Sequence, residues 1–330
     1  MKKSCIFKKK KMLKIGVFGA GHLGRIHLNL LNESKHYNLI GFHDSDRISA
    51  KKVSKKFKYK FFESPEDLLS KCDVIDVVTP TLFHHKIAML ALSNNCHVFI
   101  EKPITKSINE AKELIEFSHL NGLFGQVGHV ERFNPAFIAA KPHITNPMFI
   151  EAHRLAEFNS RGTDVPVVLD LMIHDIDIIL SVVKSPIKSI NASGVKVISS
   201  TPDIANARIE FENGCVANLT ASRISLKKMR KSRFFQKNAY ISIDFLKQEV
   251  EIVKMKDAPQ VPDEIAMILK DAEGMKKQIY FENPIIKKSN AILDELESFA
   301  NSIKNNEKPI VDLNDGYSAL STAQKIIDSY

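Results

Sequence analysis

The first third of the chain alternates short apolar runs with longer amphipathic ones. Ile15, Val17 and Phe18 predict a short buried strand, and Tyr37–His43, Asp73–Val78, His97–Ile100 and Leu123–Val127 predict four more. Near-unbroken runs rich in β-branched residues mark strands covered on both faces, as in a parallel sheet. Helix signals lie between them. Ser64-Pro65-Glu66-Asp67 is a cap followed by a first-turn proline. Ile87, Leu90 and Ala91 have helical spacing, and Ser107-Ile108-Asn109-Glu110 is a capping box for a helix ending at Asn121-Gly122. Repeated βα units of this length predict a doubly wound, nucleotide-binding α/β domain over residues 13–127.

After Gly128 the pattern changes. A helix over Asn134–Lys141 and a strand over Met148–Arg154 are followed by a polar loop, Ala156–Val165, and an apolar helix, Val167–Val183. Strands are then predicted at Ile187–Ile198, Ile204–Phe211, Cys215–Ser222, Arg233–Ile243 and Glu249–Lys254, with Glu212-Asn213-Gly214 as a hairpin turn. Residues 128–330 therefore read as a second α/β domain around an open-faced, mostly antiparallel sheet. An open face is normally covered, so a homo-oligomer, dimer or tetramer, is expected. The last amphipathic helices, Ser289–Ser302 and Asp315–Ser329, are expected to pack back on the first domain.

Composition fits an ordinary soluble globular protein: 44% of the 330 residues are hydrophobic and 26% charged, enough to bury a core for two domains. The net charge of +9 suggests nucleic acid until it is located. Seven lysines and no acid fall in residues 1–14, so the rest of the chain is nearly balanced. The lysine-rich stretch over residues 1–12 reads as a solvated, disordered tail without the apolar run of a signal peptide. No apolar run is long enough to span a bilayer, so neither nucleic acid nor membrane is an expected partner. The four scattered cysteines, with no C-x-x-C, favour reduced thiols in a cytoplasm over a disulfide frame or a zinc site.

The chemistry begins at Gly19-x-Gly21-x-x-Gly24, with His22 and Leu23 inside the motif. A strand precedes it and a helix follows. Gly19 permits the tight turn, Gly21 lets backbone approach a pyrophosphate, and Gly24 lets the helix lie near the strand. The unpaired N–H groups at the helix start would face the phosphates. Asp44, at the end of the next strand, suits the ribose hydroxyls and opposes a 2′-phosphate, which favours NAD; nearby Arg47 keeps NADP open. Thr79-Pro80-Thr81-Leu82-Phe83-His84 follows a strand at the carboxyl edge, where open α/β sheets bind ligands, although Thr81 also reads as a helix N-cap. Glu101-Lys102-Pro103 ends another strand, with the proline holding the lysine in place. Asp170 and His174 are four apart on an otherwise apolar helix, where the acid can orient and charge-stabilise a general base. Asp177 extends that face, but no further ligand stands at metal spacing and no metal is expected. Arg223, Lys227, Lys228, Arg230, Lys231 and Arg233 form a basic patch that suits either a solvated hairpin or a diphosphate.

With Glu101-Lys102-Pro103 and Asp170-x-x-x-His174 following the glycine motif, residues 13–330 resemble the Gfo/Idh/MocA oxidoreductase family. Within it, Gly128-His129-Val130-Glu131-Arg132-Phe133-Asn134-Pro135 and Asp170–Asp177 look most like the UDP-N-acetylglucosamine 3-dehydrogenase branch. The resemblance implies a Rossmann domain, an open-faced second domain, a cis bond before Pro103, and hydride transfer between a sugar or polyol carbon and NAD(P). It implies a catalytic Lys102 with Asp170 and His174 beside it. Expected cofactor contacts are Gly19, Gly21, His22, Leu23, Gly24, Asp44, Thr79, Pro80, Thr81, His84, Glu101 and Lys102. Expected substrate contacts are Lys102, Glu131, Arg132, Arg154, Arg161, Asp170 and His174. A free-sugar or polyol dehydrogenase is the alternative within the fold, and a non-catalytic NAD-binding sensor or scaffold is the alternative of another class. His174 is the expected base and Lys102 the rival for that role.

Overall fold

The computed structural model describes residues 12–159, 165–258, 267–270 and 274–330, so of the expected tail only Met12 is included. The chain forms two compact units. One takes in the chain up to His129 together with Asn290–Tyr317, and the other takes in Val130–Ser289 together with Ser318–Tyr330.

The first unit alternates strand and helix: β1 (Leu13–Phe18), α1 (His22–Glu33), β2 (Tyr37–His43), α2 (Arg47–Phe57), α3 (Pro65–Leu69), β3 (Val74–Val77), α4 (His84–Ser93), β4 (His97–Glu101), α5 (Ile108–Leu120) and β5 (Gly125–Gly128). The five strands lie in the order β2-β1-β3-β4-β5, and all pairs are parallel. Every residue of β3 is buried, as a central strand covered on both faces requires. The expected caps are present: Ser64 Oγ accepts the N–H of Asp67 at 3.1 Å, and Ser107 and Glu110 close a reciprocal capping box. Thr81 is different. It opens a 3₁₀ turn, Thr81–Phe83, and makes no side-chain cap to it.

The second unit holds α6 (Pro135–Ala140), β6 (Phe149–Leu155), α7 (Ile173–Val182), β7 (Ile187–Val195), β8 (Ile204–Phe211), β9 (Val216–Ser222), β10 (Met229–Gln236), β11 (Ala239–Asp244), β12 (Glu249–Asp257), β13 (Met267–Lys270) and β14 (Lys276–Glu282). These form a nine-stranded sheet in the order β13-β14-β12-β11-β10-β6-β9-β8-β7. It is antiparallel throughout except for the parallel β6–β9 pair. One face is apolar and buried: Ile150, Ala207, Leu219, Phe234 and Ile241 pack with Phe137 of α6 and Ile176 of α7. On the other face Phe149, Phe235 and Tyr240 form an aromatic row, with ring centroids 5.8 and 5.1 Å apart.

Residues 233–243, expected as one strand, form a hairpin instead. β10 and β11 pair from Lys231↔Asp244 to Gln236↔Ala239 and turn over Lys237-Asn238. The two-residue turn carries neither the glycine nor the proline that usually marks a hairpin in sequence. The strand expected to reach Ile198 stops at Val195 because Asp203 Oδ2 accepts the N–H groups of Val197, Ile198 and Ser199 at 2.7–2.9 Å and turns the chain.

Two final helices, α8 (Ala291–Asn305) and α9 (Leu313–Ile327), complete the molecule. α8 belongs to the first unit: Leu296, Phe299 and Ala300 share its core with Phe99, Tyr37 Oη donates to the Leu296 carbonyl at 2.8 Å, and Gln126 Nε2 donates to the Glu295 carbonyl at 2.7 Å. α9 is divided: Leu313–Tyr317 belong to the first unit, and Ala319, Ala323 and Ile326 join the core of the second.

Candidate active site

The three glycines have separate physical reasons. Gly19 has φ +97°, and a Cβ there would meet the Val78 carbonyl oxygen at 2.6 Å. A Cβ on Gly24 would lie 2.0 Å from the Gly19 carbonyl oxygen, so α1 packs on the turn only through glycine. A Cβ on Gly21 would meet nothing within 4 Å, which leaves the turn open on the side where a pyrophosphate is cradled. α1 begins at His22 and Leu23 with no side-chain cap and no acid in its first turn, so its N–H groups and positive dipole end remain available to an anion. These residues fit a dinucleotide. Asp44 lies beside the turn: Oδ2 accepts the Ala20 N–H at 2.7 Å and Oδ1 accepts the Asp46 N–H at 2.9 Å. Arg47, which keeps NADP open, reaches Glu63 at 3.8 Å, while Lys51 holds the same carboxylate at 2.9 Å.

Two further loops lie at the carboxyl ends of β3 and β4. Thr79, Pro80 and Thr81 follow β3. Glu101 ends β4, and the Lys102–Pro103 bond is cis. Glu101, expected at the cofactor, turns inward. Its Oε1 is 3.4 Å from His27 Nε2, and Oε2 accepts the N–H of Lys102 at 3.2 Å. Gly128 of β5 leaves the space, since a Cβ there would approach Glu101 Oε1 to 2.8 Å. His27 is fully buried, and its Nδ1 is 2.9 Å from Asp76 Oδ2. Burial opposes charge on this ring, but the Asp76 and Glu101 carboxylates outweigh it and hold the His27 pKa well above its ordinary value. This Asp76–His27–Glu101 chain is among the features not expected from sequence. The signal for it is the lone acid in Val74-Ile75-Asp76-Val77, because a carboxylate in a covered central strand requires a buried partner.

His84, expected at the cofactor, is also buried, at 1% exposure. Its Nδ1 is 2.9 Å from the Pro103 carbonyl oxygen and its Nε2 is 2.8 Å from the Thr79 carbonyl oxygen. Burial pulls its pKa below the ordinary imidazole value.

In the second unit, Asp170 lies in a π-helical turn, Val168–Met172, that leads into α7, and His174 is in the first turn of α7. Both are half-buried rather than sealed in the core. Such widened turns recur at functional sites because they re-aim side chains without ending the helix. Its neighbours point elsewhere. Arg132 donates to Asp177 through Nε at 2.7 Å and Nη2 at 2.9 Å. Arg154 donates to Asp175 at 2.8 and 3.0 Å and to Glu131 at 2.9 Å. Glu131, Arg132 and Arg154, expected to touch substrate, each carry a buried ion pair: Arg132 with Asp177, and Arg154 with Asp175 and Glu131. Arg161 lies outside the described residues.

Several cations of the basic patch have acidic or carbonyl partners in the structure. Arg223 is buried, donating to the Val165 and Pro202 carbonyls at 2.8 and 3.0 Å. Lys228 faces Glu157, Arg230 faces Glu131, Lys231 faces Asp244 and Arg233 faces Glu151, at 3.3–3.6 Å. Two of these pairs, Lys231–Asp244 and Arg233–Glu151, stand opposite each other on adjacent strands, which linear spacing does not reveal.

A family profile described as "Oxidoreductase family, NAD-binding Rossmann fold" matches residues 13–129, and one described as "GFO/IDH/MocA C-terminal domain" matches residues 109–241. The chain is 33% identical over 292 residues to UDP-N-acetylglucosamine 3-dehydrogenase of Acidithiobacillus ferrooxidans, covering 88% of each chain. It is 28% identical over 235 residues to scyllo-inositol 2-dehydrogenase (NAD(+)) of Bacillus subtilis, covering 64% of this chain and 68% of the other. A solved structure of the Acidithiobacillus ferrooxidans enzyme superimposes with a TM-score of 0.87 at 30% identity, covering 97% of this chain and 98% of that one. Among the described residues, no helix is long and apolar enough to cross a membrane.

Proposed function

The chain belongs to the Gfo/Idh/MocA family of oxidoreductases, and on that footing we propose that it oxidises the C3 hydroxyl of a UDP-N-acetylglucosamine-type sugar with NAD. The observation that carries this substrate class is the 33% identity to a UDP-N-acetylglucosamine 3-dehydrogenase over 88% of both chains. NAD supplies the hydride acceptor when bound. Gly19, Gly21, Gly24 and the His22–Leu23 start of α1 hold its pyrophosphate, Asp44 takes the ribose hydroxyls, and Thr79, Pro80 and Thr81 flank it at the carboxyl edge. Asp44 supports NAD over NADP by opposing a 2′-phosphate.

The substrate carbon gives up a hydride and its hydroxyl gives up a proton, leaving a ketone. His174 accepts the proton, and Asp170 orients the imidazole and stabilises its charge. Lys102 stabilises the developing alkoxide. The rival assignment makes Lys102 the base. Lys102→Met abolishes turnover while NADH affinity stays within about threefold, because the lysine acts on the reacting oxygen and not on the pyrophosphate. Retained turnover in that variant removes the lysine from the chemistry.

A polyol or free-sugar dehydrogenase is the second reading. The kinship with an NAD-dependent scyllo-inositol 2-dehydrogenase supports it. A panel of UDP-sugars and polyols with NAD and with NADP, followed by the absorbance of reduced nicotinamide, separates the two. Free thiols at Cys72, Cys96 and Cys215 support a reducing, cytoplasmic setting. The aromatic row on the second sheet supports a homo-oligomer, dimer or tetramer.

A further inference from the structure

Two cations follow the carboxylate that is proposed to take the ribose. Arg47 opens α2, and Lys51 stands four residues later on the same side of the helix. Both are exposed. An arginine and a lysine just past the end of the second strand are what a 2′-phosphate needs. Here both meet the same acid: Glu63 Oε1 lies 2.9 Å from Lys51 Nζ, and its Oε2 lies 3.8 Å from Arg47 Nη1. Glu63 comes from outside α2, on a short segment laid along β2. Phe61 bridges Phe42, the Phe62 N–H donates to the Phe42 carbonyl at 2.9 Å, and the Phe62 carbonyl oxygen lies 2.9 Å from His43 Nδ1. The hydrogen bond from Lys51, then the Lys51 and Arg47 charges, lower the Glu63 pKa, so the carboxylate is ionised at neutral pH. A further anion route, the start of α2, is closed. Asp46 Oδ1 accepts the N–H groups of Ile48 and Ser49 at 3.1 and 3.0 Å, which places a carboxylate where a phosphate would dock.

We propose that Glu63 is a specificity-determining residue: by occupying Arg47 and Lys51 it withholds both cations from a 2′-phosphate and so enforces the choice of NAD over NADP together with Asp44. The inference rests on the proposed NAD reading and deepens it. Discrimination between two ligands that differ by one charged group is built by denying that group its partners as well as by opposing it. An exposed ion triad adds little to stability, so the role of Glu63 can be tested without loss of the fold.

The readout is binding, by fluorescence titration of NADPH and NADH at an ionic strength of about 0.01 M, where charges are least screened. The wild type binds NADH more tightly. Glu63→Gln keeps the shape of the side chain and removes its charge. It raises the ratio of NADPH to NADH affinity about fivefold, the size of unmasked positive charge acting on a phosphate through several ångströms of water. A rise below about threefold overturns the assignment. NADH affinity itself stays within about twofold of wild type, because a free 2′-hydroxyl brings no charge to the site. Adding Arg47→Met and Lys51→Met to Glu63→Gln returns the ratio to the wild-type value or below. A gain that survives their loss also overturns the assignment, since the released cations are then not what receives the phosphate. A wild type that binds NADPH as tightly as NADH defeats the NAD reading and this inference with it. A wild type that prefers NADH, with the ratio unmoved in Glu63→Gln, defeats only the role of Glu63.

Discussion

At the scale of single residues, space and charge set different limits. Gly24 is a packing constraint: the 2.0 Å approach of a Cβ to the Gly19 carbonyl means that Gly24→Ala must push α1 off the turn. The expected cost is about 1–3 kcal/mol of stability, as for other overpacked sites. NADH titration by fluorescence is expected to show weakened binding as well, because the same turn is the proposed phosphate cradle. Gly21→Ala, with open space around it, is expected to leave stability unchanged and to weaken only the cofactor. His27 is a charge constraint. Its folded pKa is raised, so its contribution is complete below the unfolded value of about 6.5 and is lost as pH rises through the folded value. His27→Gln is therefore expected to destabilise most at pH 6 and below, by about 3–5 kcal/mol as for one partner removed from a buried ion pair. The gap from wild type should narrow toward alkaline pH in urea melts; a gap constant with pH means that the ring is held neutral.

At the scale of elements, the most informative helix is the one the chain returns to build. α8 lies about 160 residues beyond β5 in sequence, yet it supplies Leu296, Phe299 and Ala300 to the first unit's core. Phe299→Ala is expected to cost about 3–5 kcal/mol in denaturant unfolding, the range for a fully buried aromatic. It should weaken NADH binding only through loss of folded protein. In the second unit, α7 is tied to β6 by Arg154 and Asp175, with Glu131 closing the network. Arg154→Leu takes away the cation that donates to Asp175 and leaves Glu131 with Arg230 at 3.6 Å, and burial already pushes the Asp175 pKa up. A loss of about 3–5 kcal/mol is expected, and it should be smaller in Arg154→Leu/Asp175→Leu, where charge and partner go together.

At the scale of the whole molecule, the second sheet has one face sealed by helices and one bearing Phe149, Phe235 and Tyr240. Light scattering is expected to find a dimer or tetramer. Phe235→Asp is expected to shift it toward monomer, since a charge on an apolar contact stays solvated only when the contact opens. A monomeric wild type, or an unchanged assembly in the variant, removes this face from the interface.

The sequence alone determined the features that depend on neighbours along the chain. The βα rhythm, the caps at Ser64 and Ser107, and the Gly19–Gly24 turn with Asp44 after the next strand are all local patterns, and the structure holds each of them. Family membership was legible because its motifs are contiguous segments. Tertiary structure alone decided which charges face which. Arg132 meets Asp177, Arg154 meets Asp175 and Arg233 meets Glu151, each acid brought from another element. His27 and Asp76, 49 positions apart, become a pair only when α1 folds over β3. The physical reason is range: hydrogen bonding within a turn and the period of a helix or strand act over a few residues, whereas a buried charge is stabilised by whatever the fold places within about 4 Å of it.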